Sequence, residues 1–557
     1  MTSFRLVRRS LAAVGLVAGL LALPAAGAPV PSGYAYTHHW FTAKDGTQLH
    51  AGVFLPKNRK ANERHPVLLT STPYTAPGAG GPDSEGPAIR FPELFEHQRF
   101  KAGRWAYVQI DVRGFGGSGG CFEYYLPNEA SDVKTAVEWA ATQKWSTGKV
   151  GMWGKSYDAA QQVLALGSKP KGLAATVIQA PGLSAYTALW MNGVHYATGR
   201  YATTATYTAD DLTPPQNQST LTSEEYATAA AAPVTDAPDS PTCRTDAVVG
   251  MNVESDRAGA FWKGKEPYRA AAGSKVPTLW SHGFWDANTK PVHVDIWKSL
   301  RGPKQAWFGQ YTHLRGHEGG VGREGFLDES FRFLDRYVRG IRPPKADPVV
   351  TVQSGNGPGR WRAERAWPPT DARTWTMPVL NGTYRDQPGN NGTGSSGGKG
   401  SWSVTKPLAG AAHLAGEVVL NATVTGTVPG VHVVAHLYDI DDSGQAVLVT
   451  RGALATKSLG AQKVRFALYP QDWVFAKGHR IGIVLSGSDD AWFAPGTSLT
   501  DVGISKASLA LPLLRYTRTS FLKGDESDGM NSNPVTVPAD VLSGREVRGQ
   551  PPRQQRR

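Results

Sequence analysis

The sequence predicts an α/β protein, a mostly parallel sheet with helices on both faces, followed by an all-β domain. Three observations predict it. From about Tyr36 to Gly340, short apolar runs alternate with helix-like segments. One apolar run passes through Gly-x-Ser directly into a helical pattern at Gly154-Lys155-Ser156. Beyond Gly340-Ile341-Arg342-Pro343-Pro344 the helical patterns give way to alternating strand patterns with Gly, Pro and Asn turns.

In chain order, residues 65–71 (HPVLLTS), 105–111 (WAYVQID), 150–154 (VGMWG), 173–179 (LAATVIQ) and 276–282 (VPTLWSH) read as buried strands. Short unbroken apolar runs suit strands covered on both faces. Residues 128–144 and 157–166 carry helical patterns. Residues about 186–270 break the rhythm with Thr/Ala/Asp-rich stretches, Pro clusters and a helical-looking 223–232. An insertion there is expected to cap the C-terminal edge of the sheet and shape a substrate pocket. Residues 431–438 (VHVVAHLY) and 479–485 (HRIGIVL) alternate as strands of a sandwich or jelly roll, and 390–400 (NNGTGSSGGKG) is a flexible loop.

At 557 residues the chain is too long for one core, and two or three domains are expected. The net charge of +13 does not point to nucleic acid. Arg5, Arg8 and Arg9 with the five arginines of residues 545–557, less Glu546, account for seven of those thirteen charges. No basic helix or stripe with interleaved aromatics lies between them. The N-terminal arginines precede an apolar run, residues 11–23, and a small-residue site, Ala26-Gly27-Ala28. Residues 1–28 therefore read as an export signal, Sec-type or, given Arg8-Arg9, twin-arginine. The apolar run is short for a membrane anchor, so no stable membrane insertion is expected. The cysteines, Cys121 and Cys243, suit a disulfide in an exported chain, with two unrelated thiols as the alternative. So few cysteines argue against a thiolate zinc site or an iron–sulfur cluster, and no cofactor or metal is expected.

The chemistry centres on Met152-Trp153-Gly154-Lys155-Ser156-Tyr157-Asp158-Ala159. A nucleophilic serine needs a sharp strand-to-helix turn that presents its Oγ at the sheet edge, and that turn aims the next backbone N–H, of Tyr157, at a developing oxyanion. Asp158 stands where G-x-S-x-G has its second glycine. Downstream, residues 278–286 form a strand pattern ending at Asp286, and residues 306–313 repeat the form and end at His313. An acid at a strand exit can hold a histidine Nδ1–H, and the order Ser156, Asp286, His313 is that of α/β-hydrolases. His317 is the alternative base and is otherwise a loop histidine; His282 reads as a satisfied structural residue. Gly114-x-Gly116-x-x-Gly119 matches the dinucleotide fingerprint literally, but residues 121–127 (CFEYYLP) begin no helix for a pyrophosphate, so it reads as a tight turn.

With these motifs together, the chain resembles the X-Pro dipeptidyl-peptidase and cocaine esterase (CocE/NonD) family of α/β-hydrolases over nearly its whole length. Gly154-Lys155-Ser156-Tyr157-Asp158-Ala159 resembles the family's G-x-S-Y-x-G, with Ala159 in place of the last glycine. His282-Gly283-Phe284-Trp285-Asp286 resembles its acid segment, Gly309-Gln310-Tyr311-Thr312-His313 its histidine segment, and residues 111–120 (DVRGFGGSGG) a further hallmark. Residues 331–340 (FRFLDRYVRG) look like the helix that closes the hydrolase domain. The resemblance implies an α/β-hydrolase domain over 29–345, with a helical cap inserted at about 186–270, and a galactose-binding-like jelly roll over 346–522. The tail at 523–557 is polar, Pro-containing and basic, and is expected to be disordered. The resemblance also implies that the hydroxyl of Tyr74, in Thr72-Pro73-Tyr74, completes the oxyanion hole beside the Tyr157 N–H.

The expected activity is acyl transfer to water on a peptide or a small ester or amide. Release of X-Pro dipeptides is the first expectation, with an esterase or acylase as the alternative. A dipeptidyl-peptidase must hold the free α-ammonium, for which Asp210, Asp211, Glu224 and Glu225 in the cap are candidates. A non-catalytic, exported carbohydrate- or wall-binding scaffold is a further alternative, one with no use for all three of Ser156, Asp286 and His313.

Overall fold

The computed structural model describes residues 30–74, 89–197, 250–292, 294–356, 360–392, 400–524 and 534–556. The export signal, residues 223–232, Asp210, Asp211, Glu224, Glu225 and Cys243 lie outside the described residues.

The first domain is built on a ten-stranded sheet. Its strands are β1 (Tyr34–Thr42), β2 (Gln48–Pro56), β3 (His65–Thr72), β4 (Ala106–Asp111), β5 (Ser146–Lys155) and β6 (Leu173–Gln179). After a short hairpin, β7 (Trp190–Met191) and β8 (Val194–His195), come β9 (Thr278–Gly283), β10 (Lys304–Gly309), β11 (Val350–Gln353) and β12 (Trp361–Glu364). The spatial order is β1-β2-β4-β3-β5-β6-β9-β10-β11-β12. Every ladder from β4 to β11 is parallel, and β1, β2 and β12 are added antiparallel at the two edges. All five strands expected from apolar runs are present.

Alternation along each strand sorts side chains between two cores. Val67, Leu69, Val108 and Met152 pack with Val133, Val137, Val163 and Leu164 of helices α3 (Pro127–Thr142) and α4 (Tyr157–Ser168). Their neighbours Leu68, Tyr107 and Trp153 face the other way, onto Phe95, Phe100, Phe331 and Leu334. There α1 (Glu93–Glu96), α2 (Gln98–Gly103) and the helix Phe326–Leu334 cover the sheet. The last of these continues as a wider turn through Asp335–Arg339 and closes the domain, as residues 331–340 led one to expect.

The second domain is all-β. Its strands are β13 (Ala372–Val379), β14 (Gly382–Asp386), β15 (Ser401–Val404), β16 (Ala412–Gly416), β17 (Val419–Gly426) and β18 (His432–Ile440). They continue through β19 (Gln445–Ala455), β20 (Gly460–Ala467), β21 (Gln471–Phe475), β22 (Arg480–Ser486), β23 (Thr500–Leu514) and β24 (Val535–Thr536). One sheet runs β20-β17-β23-β16-β21, with β13 and β14 also on β23, and the other runs β15-β22-β18-β19-β24. Their inner faces share one apolar core, including Leu414, Leu420, Val433, Leu437, Ile483 and Leu511. That is sandwich packing of two antiparallel sheets.

Two expectations need correction. Within the tail expected to be disordered, residues 534–556 are built into the second domain. Val535 and Thr536 pair with Ala446 and Gln445, and the Val547 N–H donates to the Val404 carbonyl at 2.8 Å. Val537 and Val547 are 3% and 2% exposed: a polar, basic composition conceals the few apolar side chains that anchor the segment. The hydrolase domain also runs past the boundary expected at residue 345, because β11 and β12 pair into its sheet. The described flanks of the insertion hold the short helix α5 (Ala185–Leu189), the β7–β8 hairpin, a helical turn at 250–253 and single turns at Ala260–Trp262 and Pro267–Ala271. That hairpin reaches the second domain, where the Ala494 N–H donates to the His195 carbonyl at 2.7 Å. No helix among the described residues is long and apolar enough to cross a membrane.

Candidate active site

β5 ends at Lys155 and α4 begins at Tyr157, so Ser156 alone makes the turn, at φ 66° and ψ −121°. A non-glycine residue in such a conformation costs about 1–3 kcal/mol and persists only where its surroundings hold it. Here the Ser156 N–H donates to the Gln179 carbonyl on β6 at 2.9 Å, and the Ser156 carbonyl accepts from the N–H groups of Ala159 and Ala160. Strand and helix touch at this point. A Cβ on Gly154 would sit 2.5 Å from the Asp158 Cβ, so the first glycine makes room for the aspartate at the fifth position. Asp158 is fully buried and accepts from Arg90 Nε at 2.8 Å.

Asp286 follows β9 and His313 follows β10, and His313 Nδ1 lies 2.8 Å from Asp286 Oδ2. The two loops meet because residue 283 is glycine. A Cβ there would overlap the Tyr311 carbonyl, which passes directly over the acid's strand. Oδ1 of Asp286 accepts from the N–H groups of Asn288 at 2.8 Å and Thr289 at 3.0 Å. Oδ2 also receives the Thr289 hydroxyl at 2.8 Å and lies 3.1 Å from His282 Nε2. Burial alone would raise the Asp286 pKa, but the adjacent His313 and the hydrogen bonds from both histidines outweigh it and hold the carboxyl well below its ordinary range. His282 is thus a partner of the acid, while His317 Nε2 sits 3.7 Å from Glu93, on a different carboxylate.

The Tyr74 hydroxyl donates to Ser156 Oγ at 3.4 Å. Tyr157 heads α4, so its backbone N–H belongs to the helix turn that starts at the serine. Its hydroxyl reaches both Glu129 oxygens at 2.8 Å, and Glu129 also accepts from Gln161 Nε2 and the Tyr125 N–H. Complete burial pushes the Glu129 carboxyl up to about 7. Sequence reasoning missed Glu129 and Arg90. Glu129 is one polar position in an amphipathic helix, and nothing local to Arg90 announces its contact with Asp158. The Gly-rich turn after β4 wraps a carboxylate: Asp111 Oδ2 accepts the Gly117 N–H at 2.7 Å and lies 2.8 Å from His50 Nδ1. Cys121 is disulfide-bonded; Cys243, the other cysteine of the sequence, lies outside the described residues.

Comparison with known proteins places this architecture. Residues 45–315 match the family described as X-Pro dipeptidyl-peptidase (S15 family), and residues 344–522 match the X-Pro dipeptidyl-peptidase C-terminal non-catalytic domain. A Streptomyces avermitilis protein bearing the name Xaa-Pro dipeptidyl-peptidase is 22% identical over 97% of this chain and 94% of its own. A Mycobacterium bovis protein bearing the name serine esterase is 28% identical over 24% of this chain and 22% of its own. Among solved structures, a CocE/NonD family hydrolase from Staphylococcus aureus superposes with a TM-score of 0.66 at 16% identity, over 86% of this chain and 94% of that one. An α-amino acid ester hydrolase gives 0.62 at 18% identity, over 90% and 100%. The chain is a serine hydrolase that has the α/β-hydrolase fold of the CocE/NonD structures, and it belongs to the X-Pro dipeptidyl-peptidase (S15) family.

Proposed function

We propose that this chain is an exported Xaa-Pro dipeptidyl-peptidase that works through Ser156, Asp286 and His313. The observation that carries the site is the 2.8 Å contact between His313 Nδ1 and the buried Asp286 carboxylate, at the same C-terminal edge of the parallel sheet as a serine held on a strained strand-to-helix turn. Ser156 Oγ attacks the scissile carbonyl while His313 Nε2 takes its proton, and Asp286 fixes the tautomer that leaves Nε2 free to accept. The oxyanion accepts hydrogen bonds from the Tyr74 hydroxyl and the Tyr157 N–H, which strengthen as charge develops on it. His313 then protonates the leaving amine, and water releases the acyl group by the same route in reverse.

The substrate reading rests on relatives of that name spanning nearly the whole chain, and on both domains matching X-Pro dipeptidyl-peptidase families. A small-ester hydrolase or acylase is the second reading, favoured by the shorter match to a serine esterase. Export is supported by the basic, apolar and small-residue pattern of residues 1–28 and by the disulfide at Cys121.

The test compares an Ala-Pro chromogenic anilide with a short acyl nitrophenyl ester, on wild type and Ser156→Ala. Anilide turnover that disappears in the variant, and on blocking the substrate's N-terminus, is the expected result. Ester turnover alone, lost in Ser156→Ala, moves the function to the esterase. Equal activity of Ser156→Ala on every substrate turned over would remove Ser156 as nucleophile.

A further inference from the structure

We propose that Arg90 and Asp158 are positioning residues for the oxyanion hole: Asp158 anchors Arg90, and Arg90 holds the Tyr74 ring against the nucleophile. The inference rests on the reading of Ser156 as nucleophile and Tyr74 as oxyanion donor.

The contacts form one chain. Arg90 Nε donates to Asp158 Oδ2 at 2.8 Å, with the carboxylate wholly inaccessible and the arginine side chain 19% exposed. The Arg90 guanidinium carbon lies 4.2 Å from the centroid of the Tyr74 ring, within cation–π range. The Tyr74 hydroxyl reaches Ser156 Oγ at 3.4 Å. Arg90 is also tied through its backbone, whose N–H donates to Gln109 Oε1 on β4 at 2.9 Å.

This arrangement assigns a role to the departure from G-x-S-x-G at position 158. Asp158 lies on the first turn of α4, two residues after Ser156. A carboxylate there fixes the guanidinium relative to the helix that carries the nucleophile. Tyr74 approaches from a different element, the turn after β3, where its N–H donates to Thr72 Oγ1 at 3.1 Å. Arg90 therefore joins the two halves of the proposed oxyanion hole, the phenol from one segment and the helix N–H from another. A cation on the face of a phenol also draws density from the ring and makes its O–H a better donor to an oxyanion. Donor placement matters because such a hole acts only if its dipoles are aimed before charge develops. A simple buried ion pair would instead hold the fold and leave the chemical step alone.

The experiment is a double-mutant cycle on the full chain, using the anilide or ester that wild type turns over. Asp158→Asn and Arg90→Lys are each made alone and with Tyr74→Phe, and kcat, KM and thermal unfolding are measured. Each single variant is expected to lower kcat about 10- to 100-fold, with KM changed less than about 3-fold. In the Tyr74→Phe background, where no phenol remains to be aimed, either substitution is expected to cost less than about 3-fold in kcat. Full additivity with Tyr74→Phe, or a loss of thermal stability with kcat unchanged, would overturn the proposal. Arg90→Lys keeps a positive charge beside Asp158, so it serves if Asp158→Asn does not fold. Loss of the Ser156 assignment itself reads differently: Ser156→Ala would retain turnover.

Discussion

Gln310 Nε2 donates to Gln471 Oε1 at 2.8 Å, a buried hydrogen bond that carries the histidine loop of the hydrolase sheet onto the second domain. Gln310 follows β10 and lies three residues before His313, and its Oε1 accepts the Trp285 Nε1–H at 2.7 Å, from the residue preceding Asp286. Its Nε2 also lies 3.0 Å from the Asp472 carbonyl. One amide thus links the acid loop, the histidine loop and β21. The second domain is part of what sets the geometry of His313 and Asp286, although it contributes neither.

Gln310→Ala is therefore expected to lower kcat about tenfold and to destabilise the protein by about 1–3 kcal/mol, because the half-buried Trp285 N–H loses its acceptor and the buried Gln471 amide oxygen loses a donor. Chemical unfolding and steady-state kinetics check both effects. A chain ending at residue 370, which keeps β11 and β12 of the hydrolase sheet and removes the second domain, is expected to lose hydrolysis altogether, with Ser156 no longer labelled by a fluorophosphonate probe.

The domains are also joined by charge. Arg362 on β12 makes two hydrogen bonds to Asp472 on β21, at 2.9 and 2.6 Å, and His413 Nε2 lies 2.8 Å from the same carboxylate. All three side chains are buried. Burial would raise the Asp472 carboxyl, but Arg362 and His413 outweigh it and hold it far below its ordinary range. With the folded pKa depressed, the pair's stabilisation is present above about pH 4 and is lost as pH falls towards the folded value. Asp472→Ala strands Arg362 and is expected to cost about 3–5 kcal/mol at pH 7. Urea unfolding between pH 3 and 7 should show a shallower acid limb in Asp472→Asn than in wild type.

Glu129 gives the opposite pH dependence. Its folded pKa is raised to about 7 by burial, against an ordinary value of 4.5. The folded state therefore keeps a proton that the unfolded chain releases, and stability is lost as pH rises from about 4.5 to about 7. The loss is on the order of 3 kcal/mol. Glu129→Gln, neutral throughout, is expected to flatten that slope and to be more stable than wild type at pH 8. Its acceptor for Tyr157 and Tyr125 is retained through the amide oxygen. Unfolding free energies at pH 5, 6, 7 and 8 decide it: equal slopes in the two proteins would show that Glu129 is ionised in the folded state across the range.

The sequence made the frame and the chemistry legible for one reason. Strands covered on both faces must be unbroken apolar runs, as 65–71 and 150–154 are, and catalytic groups of a parallel sheet sit at strand exits. Ser156, Asp286 and His313 are each the first polar residues past such runs, or close to it. Edge strands gave less away: β1 (YAYTHHWFT) mixes threonine and histidine with aromatics and pairs on one side only. Long-range polar contacts gave nothing. Arg90 meets Asp158 across 68 residues and Gln310 meets Gln471 across 161, and no local pattern encodes either meeting. In the tail, a basic composition outweighed Val535, Val537 and Val547, which are few but sufficient to dock it.

Asp286→Asn tests the acid most sharply, because it keeps shape and changes one property. Asp286 Oδ2 accepts from the Thr289 hydroxyl and lies beside Nδ1 of His313 and Nε2 of His282. An asparagine can present its NH2 at that position, and it then donates to His313 Nδ1 and selects the tautomer with the proton on Nε2. A histidine protonated at Nε2 cannot accept the Ser156 proton. The expected result is a fall in kcat of about 10⁴ with KM little changed and the fold intact by circular dichroism. Fluorophosphonate labelling of Ser156 should slow in parallel, since the same proton transfer activates the serine. Raising the pH would not restore either rate if the tautomer is at fault. Full labelling at the wild-type rate would mean that the contact between Asp286 and His313 orients the loop without controlling the base.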